Sequence, residues 1–292
     1  MPELPEVETV RVGLSQLIPG KRIKGLIYDW PKSFPNPPEI IDAVLIGSEV
    51  IDVRRRAKVL IIDLDSGYSL VIHLKMTGQM VYKDVSYRFG AGHPNDSLIG
   101  NLPDKSTRVE ITFEDNSKLF FNDQRKFGWM KVVATPEIFQ LPFFLKVGPE
   151  PLESDFTGKL FIGRIRKRNN SNIKAALLDQ SVLAGIGNIY ADESLWLARI
   201  HPLTKVSRLT DRKLRLLHGS LIEVLRLSIE KGGSTDRNYV NAEGKKGSYI
   251  EFANVFRKEG QPCPRCGREI IKIRAAGRGT HICSYCQKVN KQ

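Results

Sequence analysis

The sequence predicts an α+β chain: an N-terminal helix with a two-layer antiparallel β-sandwich, then a mainly α-helical half that ends in a cysteine-bearing β-hairpin. Three observations predict it. Apolar residues recur at helical spacing at the start, turn strand-like from Arg22 to Val133, and return to helical spacing after a proline- and acid-rich break.

Val7, Val10, Leu14 and Leu17 place a helix over residues 3–17, with Glu3, Glu6 and Glu8 where acids complement the helix dipole. KVLIIDL (58–64) and YSLVIHL (68–74) flank an Asp65-Ser66-Gly67 turn, and RVEITF (108–113) and KLFFND (118–123) flank a turn at Asp115-Asn116. Continuous apolar runs on adjacent antiparallel strands call for a sheet covered on both faces, hence a sandwich. Residues 88–107 read as a long loop. GPEPLESDF (148–156) reads as a linker, and helices follow over 173–179, 188–198 and 210–231, the last capped by Thr210. The Gly-rich polar stretch 232–249 has little to bury and reads as a mobile loop. The domain boundaries are thus 1–147, a linker at 148–156, 157–254, and 255–292.

At 292 residues the chain suits two domains, and no apolar run approaches a membrane span. MPELPEVETV carries acids where a secretory signal needs basic residues, so a cytoplasmic protein is expected. Lysine and arginine number 45 against 32 acids, a net charge of +13, which makes a polyanion the expected partner. The excess is clustered at RRRAK (54–58), at RIRKR (164–168) and after Val255, where nine basic residues face two acids. Three clusters suggest one surface assembled from distant segments, with DNA the first candidate.

All four cysteines lie near the end, as Cys263, Cys266, Cys283 and Cys286 in a C-x2-C-x16-C-x2-C pattern. Two turns that each present a thiolate pair close a tetrahedron around zinc, and four protein ligands make the ion structural. The site holds strands at 270–274 and 280–283 as a hairpin whose tip, 275–279, offers Arg274 and Arg278 between glycines to a phosphate backbone.

With Met1 removed, Pro2 becomes a secondary amine able to form an iminium with a sugar C1′. From these residues alone, Pro2 and Pro5 are better explained as the start of a helix. Asn188, after Gly185 and Gly187, opens a helix that suits either a phosphate or a simple capped turn.

PELPEVETV, HLKMTG (73–78), DQRKFG (123–128), LAGIGNIYADESLW (183–196) and GRGTHIC (277–283), in this order, resemble bacterial formamidopyrimidine-DNA glycosylase. The resemblance runs from Pro2 to Cys286. It implies a bifunctional enzyme that excises oxidised purines (8-oxoguanine and formamidopyrimidines) from duplex DNA and cleaves the strand by β- and δ-elimination. It further implies a monomer with one zinc ion, a helix–two-turn–helix over 173–199 and a lesion-covering loop over 232–249. By position, Pro2 resembles the nucleophile, Glu3 the acid/base, Lys58 the lysine that binds phosphate and assists elimination, and Arg278 the hairpin arginine on the phosphates. Met76, Arg125 and Phe127 match the trio that fills the space left by the everted base, and Asn188 a phosphate contact.

Where the family commonly carries K-H-x-H, this chain reads Lys105-Ser106-Thr107-Arg108, which leaves Lys105 or Arg108 to replace a phosphate contact. A family lysine stands as Asn169 beside Arg168, and Tyr-Gly-Arg as Phe256-Arg257-Lys258. The alternatives are an endonuclease VIII-like glycosylase for oxidised pyrimidines and a zinc-ribbon DNA binder without chemistry. Leu4 and the 232–249 loop favour the purine enzyme.

Overall fold

The computed structural model describes residues 1–93, 95–233 and 249–289. Two compact units form, each with its own core: Met1–Leu145 with, among the described residues, Lys231 to Gly233, and Lys146–Glu230 with the chain from Tyr249 on.

In the first unit, helix α1 (Leu4–Ser15) is nucleated by its own acids. The Glu3 backbone N–H donates to the Glu6 carboxylate at 2.7 Å, which satisfies a donor the helix would otherwise orphan. Val7, Val10 and Leu14 are fully buried. A methyl group on Gly13 would sit 2.0 Å from the Phe89 ring, so only glycine lets the helix close on the sheet there.

The strands are β1 (Ile23–Tyr28), β2 (Val50–Arg56), β3 (Val59–Leu64), β4 (Tyr68–His73), β5 (Gly78–Lys83), β6 (Arg88–Gly92), β7 (Thr107–Phe113), β8 (Lys118–Asp123) and β9 (Trp129–Ala134). They form two sheets, ordered β1-β7-β8-β5-β6 and β2-β3-β4-β9, with antiparallel neighbours throughout. The main core includes Ile62, Leu70 and Ile72 from one sheet and Met80, Ile111 and Phe121 from the other. Each outer face is covered too. Val59, Ile61 and Val71 lie under Ile138 and under Phe144 of the short helix Pro142–Leu145, while Val81 and Phe120 lie under Leu98. This is why the central strands read as unbroken apolar runs.

Two expectations need correction. The expected loop 88–107 contains strand β6 and a 3-10 turn at Asp96–Leu98. Arg88 anchors the segment by donating to the carbonyls of Leu98 at 2.9 Å, Gly100 at 2.6 Å and Ser97 at 3.0 Å. Gly90 and Gly92 hide the strand from pattern reading, because strands rarely carry glycine. The strand-like span also contains a helix, Pro38–Val44, which starts from its proline.

The second unit holds helices α4 (Gly158–Arg166), α5 (Ile173–Leu178), α6 (Asn188–Leu197), α7 (Asp211–Glu230) and α8 (Tyr249–Phe252), numbered after Pro38–Val44 (α2) and Pro142–Leu145 (α3). The expected Thr210 cap is present, its hydroxyl accepting from the Lys213 N–H at 3.3 Å. Leu177, Ile186, Tyr190, Leu214 and Leu221 lie in this unit's core. Strands β10 (Ile271–Ala275) and β11 (Arg278–Ile282) form the terminal hairpin. Its tip is tighter than expected: Ala276 and Gly277, with φ of 50° and 70°, make a two-residue turn, so Arg278 sits on a strand. The expected loop 232–249 lies outside the described residues apart from its ends. No helix of the described residues is long and apolar enough to cross a membrane.

Candidate functional site

Pro2 and Glu3 are both buried at the start of α1, and Glu3 is the residue from which the helix begins. Gly233, at φ +81°, packs against Glu6, where an added Cβ would lie 3.2 Å from the carboxylate. Helix α1 is tied to the turn before Lys58 by one arginine. Arg55 donates to Glu8 at 2.9 Å and to the Ala57 carbonyl at 2.8 Å, and Ala57 takes a left-handed φ of 54°. Burial works against the Glu8 charge, but hydrogen bonds and charge from Arg11 and Arg55 hold its carboxyl below the usual range. Lys58, 6% exposed, follows that turn.

Sequence reading passed over His73. It pairs with Val59 across the sheet, packs against the Trp129 and Phe143 rings, and is 6% exposed. Its Nδ1 accepts from the Lys75 backbone N–H at 3.1 Å, which places the neutral ring's proton on Nε2. Burial first, then the charges of Lys75 and Lys58, push its pKa down to about 3. The signal lay within HLKMTG, but a lone histidine on an apolar strand does not announce itself.

Met76, Arg125 and Phe127 are brought to one end of the sandwich by two connections that cross between the sheets side by side. One joins β4 to β5 and the other β8 to β9. The register fixes both ends, with His73 opposite Trp129 and Gly78 opposite Asp123. Arg125 and Phe127 are exposed, and the guanidinium lies 4.9 Å from the Phe127 ring centre. Met76 is half-buried.

In the second unit, Asn188 is the first residue of α6, and its amide donates to the Gly279 carbonyl at 3.0 Å, beside the exposed Arg278. Beneath lies a buried ion pair that sequence reading missed. Lys174 of α5 and Asp192 of α6 are 0% and 1% exposed and 2.6 Å apart. Lys174 also donates to Thr280 at 2.6 Å, and Asp192 accepts from the His281 N–H at 3.0 Å. These bonds join two helices to the strand that carries Arg278. Glu193 likewise accepts from the backbone N–H groups of Asn254, Val255 and Phe256, each at 2.8 Å. Arg257 holds a left-handed φ of 58°.

The four cysteines converge, with all Sγ atoms within 4.8 Å of one another and no disulfide. The Cys266–Cys283 and Cys263–Cys286 separations are 3.5 and 3.9 Å. A zinc ion with bonds near 2.3 Å requires sulfur pairs about 3.8 Å apart, so the donor set fits. Burial and the neighbouring thiols push Cys286 up to about 12. Burial opposes ionisation of Cys263 as well, but backbone N–H groups of Arg265 and Cys266 bring it to about 7. Four thiolates in this space therefore call for a cation.

Part of the basic clustering is spent inside each unit. Arg54 pairs with Asp63 at 2.5 Å. Arg164 donates to the Ser181 carbonyl, Arg166 to the Val206 and Leu209 carbonyls, and Arg168 pairs with Asp179 at 2.6 Å. Arg108 is 3% exposed and holds Asp29 and the carbonyls of Lys105 and Ser106, so of the two candidates only Lys105 is exposed enough to meet a phosphate.

Three family models match the chain in order: the formamidopyrimidine-DNA glycosylase N-terminal domain over residues 1–130, its H2TH domain over 147–239, and a zinc finger found in FPG and IleRS over 260–289. A formamidopyrimidine-DNA glycosylase of Pediococcus pentosaceus is 40% identical over 98% of this chain and 99% of its own length. Among solved structures, the complex of Lactococcus lactis Fpg with abasic-site DNA superposes with a TM-score of 0.85 at 38% identity, covering 98% of this chain and 100% of that one. The wild-type Lactococcus lactis enzyme with N7-benzyl-Fapy-dG DNA gives 0.84 at 37%, over 99% and 100%.

Proposed function

Since the chain belongs to the formamidopyrimidine-DNA glycosylase family, we propose that its Pro2 amine and Glu3 carboxyl carry out base excision and strand cleavage on duplex DNA bearing 8-oxoguanine or formamidopyrimidines. The chain is a DNA glycosylase and abasic-site lyase of base excision repair. The Pro2 nitrogen, freed of Met1, donates its lone pair to C1′ of the damaged nucleotide, and the bond to the base breaks with its electrons leaving on the base, which takes up the proton that the nitrogen gives up. Glu3 donates a proton to the sugar ring oxygen as the ring opens and stabilises the resulting iminium. Loss of a C2′ proton then expels the 3′ phosphate, and a second elimination expels the 5′ phosphate. Lys58 binds the phosphate next to the lesion and assists elimination, and Arg278 grips the phosphates and aids the second elimination.

Met76, Arg125 and Phe127 occupy the stack that the everted nucleotide leaves, with Arg125 reading the orphaned base. Asn188 contributes a phosphate contact. The neutral Nε2–H of His73, beside Lys58, supplies another donor without adding charge. Cys263, Cys266, Cys283 and Cys286 hold one structural zinc ion that keeps the hairpin folded and Arg278 presented. On this reading the functional parts are the catalytic domain 1–147, the linker 148–156, the helical domain 157–254 with its helix–two-turn–helix over 173–199 and covering loop over 232–249, and the zinc hairpin 255–292. The protein works as a monomer in the cytoplasm, on the nucleoid.

The observation that carries the reading is the pairing of Pro2 with a buried Glu3 at a helix start, in a chain that matches all three family models in register. Borohydride trapping on duplexes containing 8-oxoguanine or thymine glycol tests it. A covalent adduct is expected to form faster on 8-oxoguanine, and its yield to fall by at least about a hundredfold in Pro2→Gly. A preference for thymine glycol would contradict the purine assignment.

A further inference from the structure

Asp123 has no part in the chemistry above, yet it is fully buried and accepts four hydrogen bonds. Its Oδ1 takes the Thr77 hydroxyl and the Arg125 backbone N–H at 3.2 Å. Its Oδ2 takes the backbone N–H groups of Phe127 at 2.8 Å and Gly128 at 2.6 Å. The Thr77 oxygen in turn accepts from the Arg125 N–H at 3.1 Å. One carboxylate thus closes the loop that carries Arg125 and Phe127 upon itself, and through Thr77 pins it to the loop that carries Met76.

The rest of the joint is built to match. Lys75 and Lys126, one in each loop, adopt left-handed φ values of 50° and 56°. A Cβ on Gly128 would lie 2.6 Å from Phe121 and 3.1 Å from both Asp123 Oδ2 and the His73 carbonyl, and one on Gly78 would lie 2.3 Å from the Leu74 carbonyl. Strained backbone held by buried, charge-assisted hydrogen bonds is the signature of a preorganised element. All four partners of the carboxylate are donors, so an amide in its place would turn N–H groups toward N–H groups.

We propose that Asp123, acting through Thr77, is the positioning residue that locks the two sandwich-end loops into one rigid wedge, and that this lock sets how efficiently the damaged base is held out of the duplex. The inference rests on the glycosylase reading and on the void-filling role of Met76, Arg125 and Phe127. It goes further in assigning the rigidity of that trio to a single buried carboxylate–hydroxyl joint, which serves duplex substrates alone. An abasic site in a single strand leaves no stack to fill, so its cleavage needs the Pro2 chemistry but not the wedge.

The test compares Thr77→Val, Thr77→Ser and Asp123→Asn with wild type on two substrates: a duplex with 8-oxoguanine opposite cytosine, and single-stranded DNA with a preformed abasic site. Single-turnover rates are measured, together with the fluorescence of 2-aminopurine placed beside the lesion as a reporter of stacking. Thr77→Val and Asp123→Asn are expected to excise from the duplex at least about tenfold more slowly and to lose the fluorescence change, while cleaving the single strand within about twofold of wild type. Thr77→Ser, which keeps the hydroxyl, is expected to restore duplex excision. Wild-type duplex rates in Thr77→Val, equal losses on both substrates, or a serine variant no better than valine would each overturn the inference. Wild-type protein that cleaves neither substrate would instead overturn the glycosylase reading, and this inference with it.

Discussion

At the scale of single residues, His73 converts burial into a pH dependence. Its pKa of about 3 in the fold lies well below the unfolded value of 6.5. Below about pH 6.5 the unfolded chain takes up a proton at this position, while the folded chain declines it until about pH 3. Stability must therefore fall as the pH drops through that window, by up to about 1.4 kcal/mol per pH unit for this one group. Urea unfolding at a series of pH values should show a shallower decline in His73→Gln than in wild type between pH 6.5 and 3. Equal slopes would mean that the imidazole is not held neutral.

At the scale of elements, the Lys174–Asp192 pair shows how two helices and a hairpin become one body. Both side chains are fully buried, and each also bonds to β11. Lys174→Met should cost about 3–5 kcal/mol, because it removes the cationic partner of Asp192 in a dry site and leaves the carboxylate with the His281 N–H in place of an ion pair. The double variant Lys174→Met/Asp192→Leu should recover a large part of that loss. Thermal unfolding of the three proteins checks this, and a double variant no more stable than the single would contradict it. Sequence reading succeeded where local chemistry decides an element, as at the Asp115-Asn116 turn, the Thr210 cap and the cysteine pairs. It failed where long-range partners decide. Strand β6 survives its glycines because β5 pairs with it and Arg88 ties down residues 97–100 beyond it. The arginines of RIRKR looked like a DNA surface because sequence does not reveal the carbonyls and the carboxylate they bond. Met76, Arg125 and Phe127 lay in two recognisable motifs, but their meeting depends on strand register, which no single motif contains.

At the scale of the molecule, charge and metal set how DNA is held. With a net charge of +13 and exposed Arg274 and Arg278 at the hairpin tip, duplex affinity should fall log-linearly with salt. Arg278→Ala should reduce the steepness by about one phosphate contact, as read by fluorescence anisotropy across a salt series. Chelation of zinc should abolish duplex binding while leaving most secondary structure by circular dichroism, since the cores of the sandwich and of the helices contain no cysteine. Unchanged affinity after complete metal removal would contradict a structural role for the thiolate cluster in DNA binding.

In the proposed function, chemistry begins at the nitrogen of Pro2. The most direct measurement is peptide mapping by mass spectrometry of the borohydride-trapped complex with 8-oxoguanine DNA. The predicted result is a nucleotide adduct on a peptide that begins at Pro2 and lacks Met1. An adduct on Lys58, or active protein that retains Met1, would contradict it.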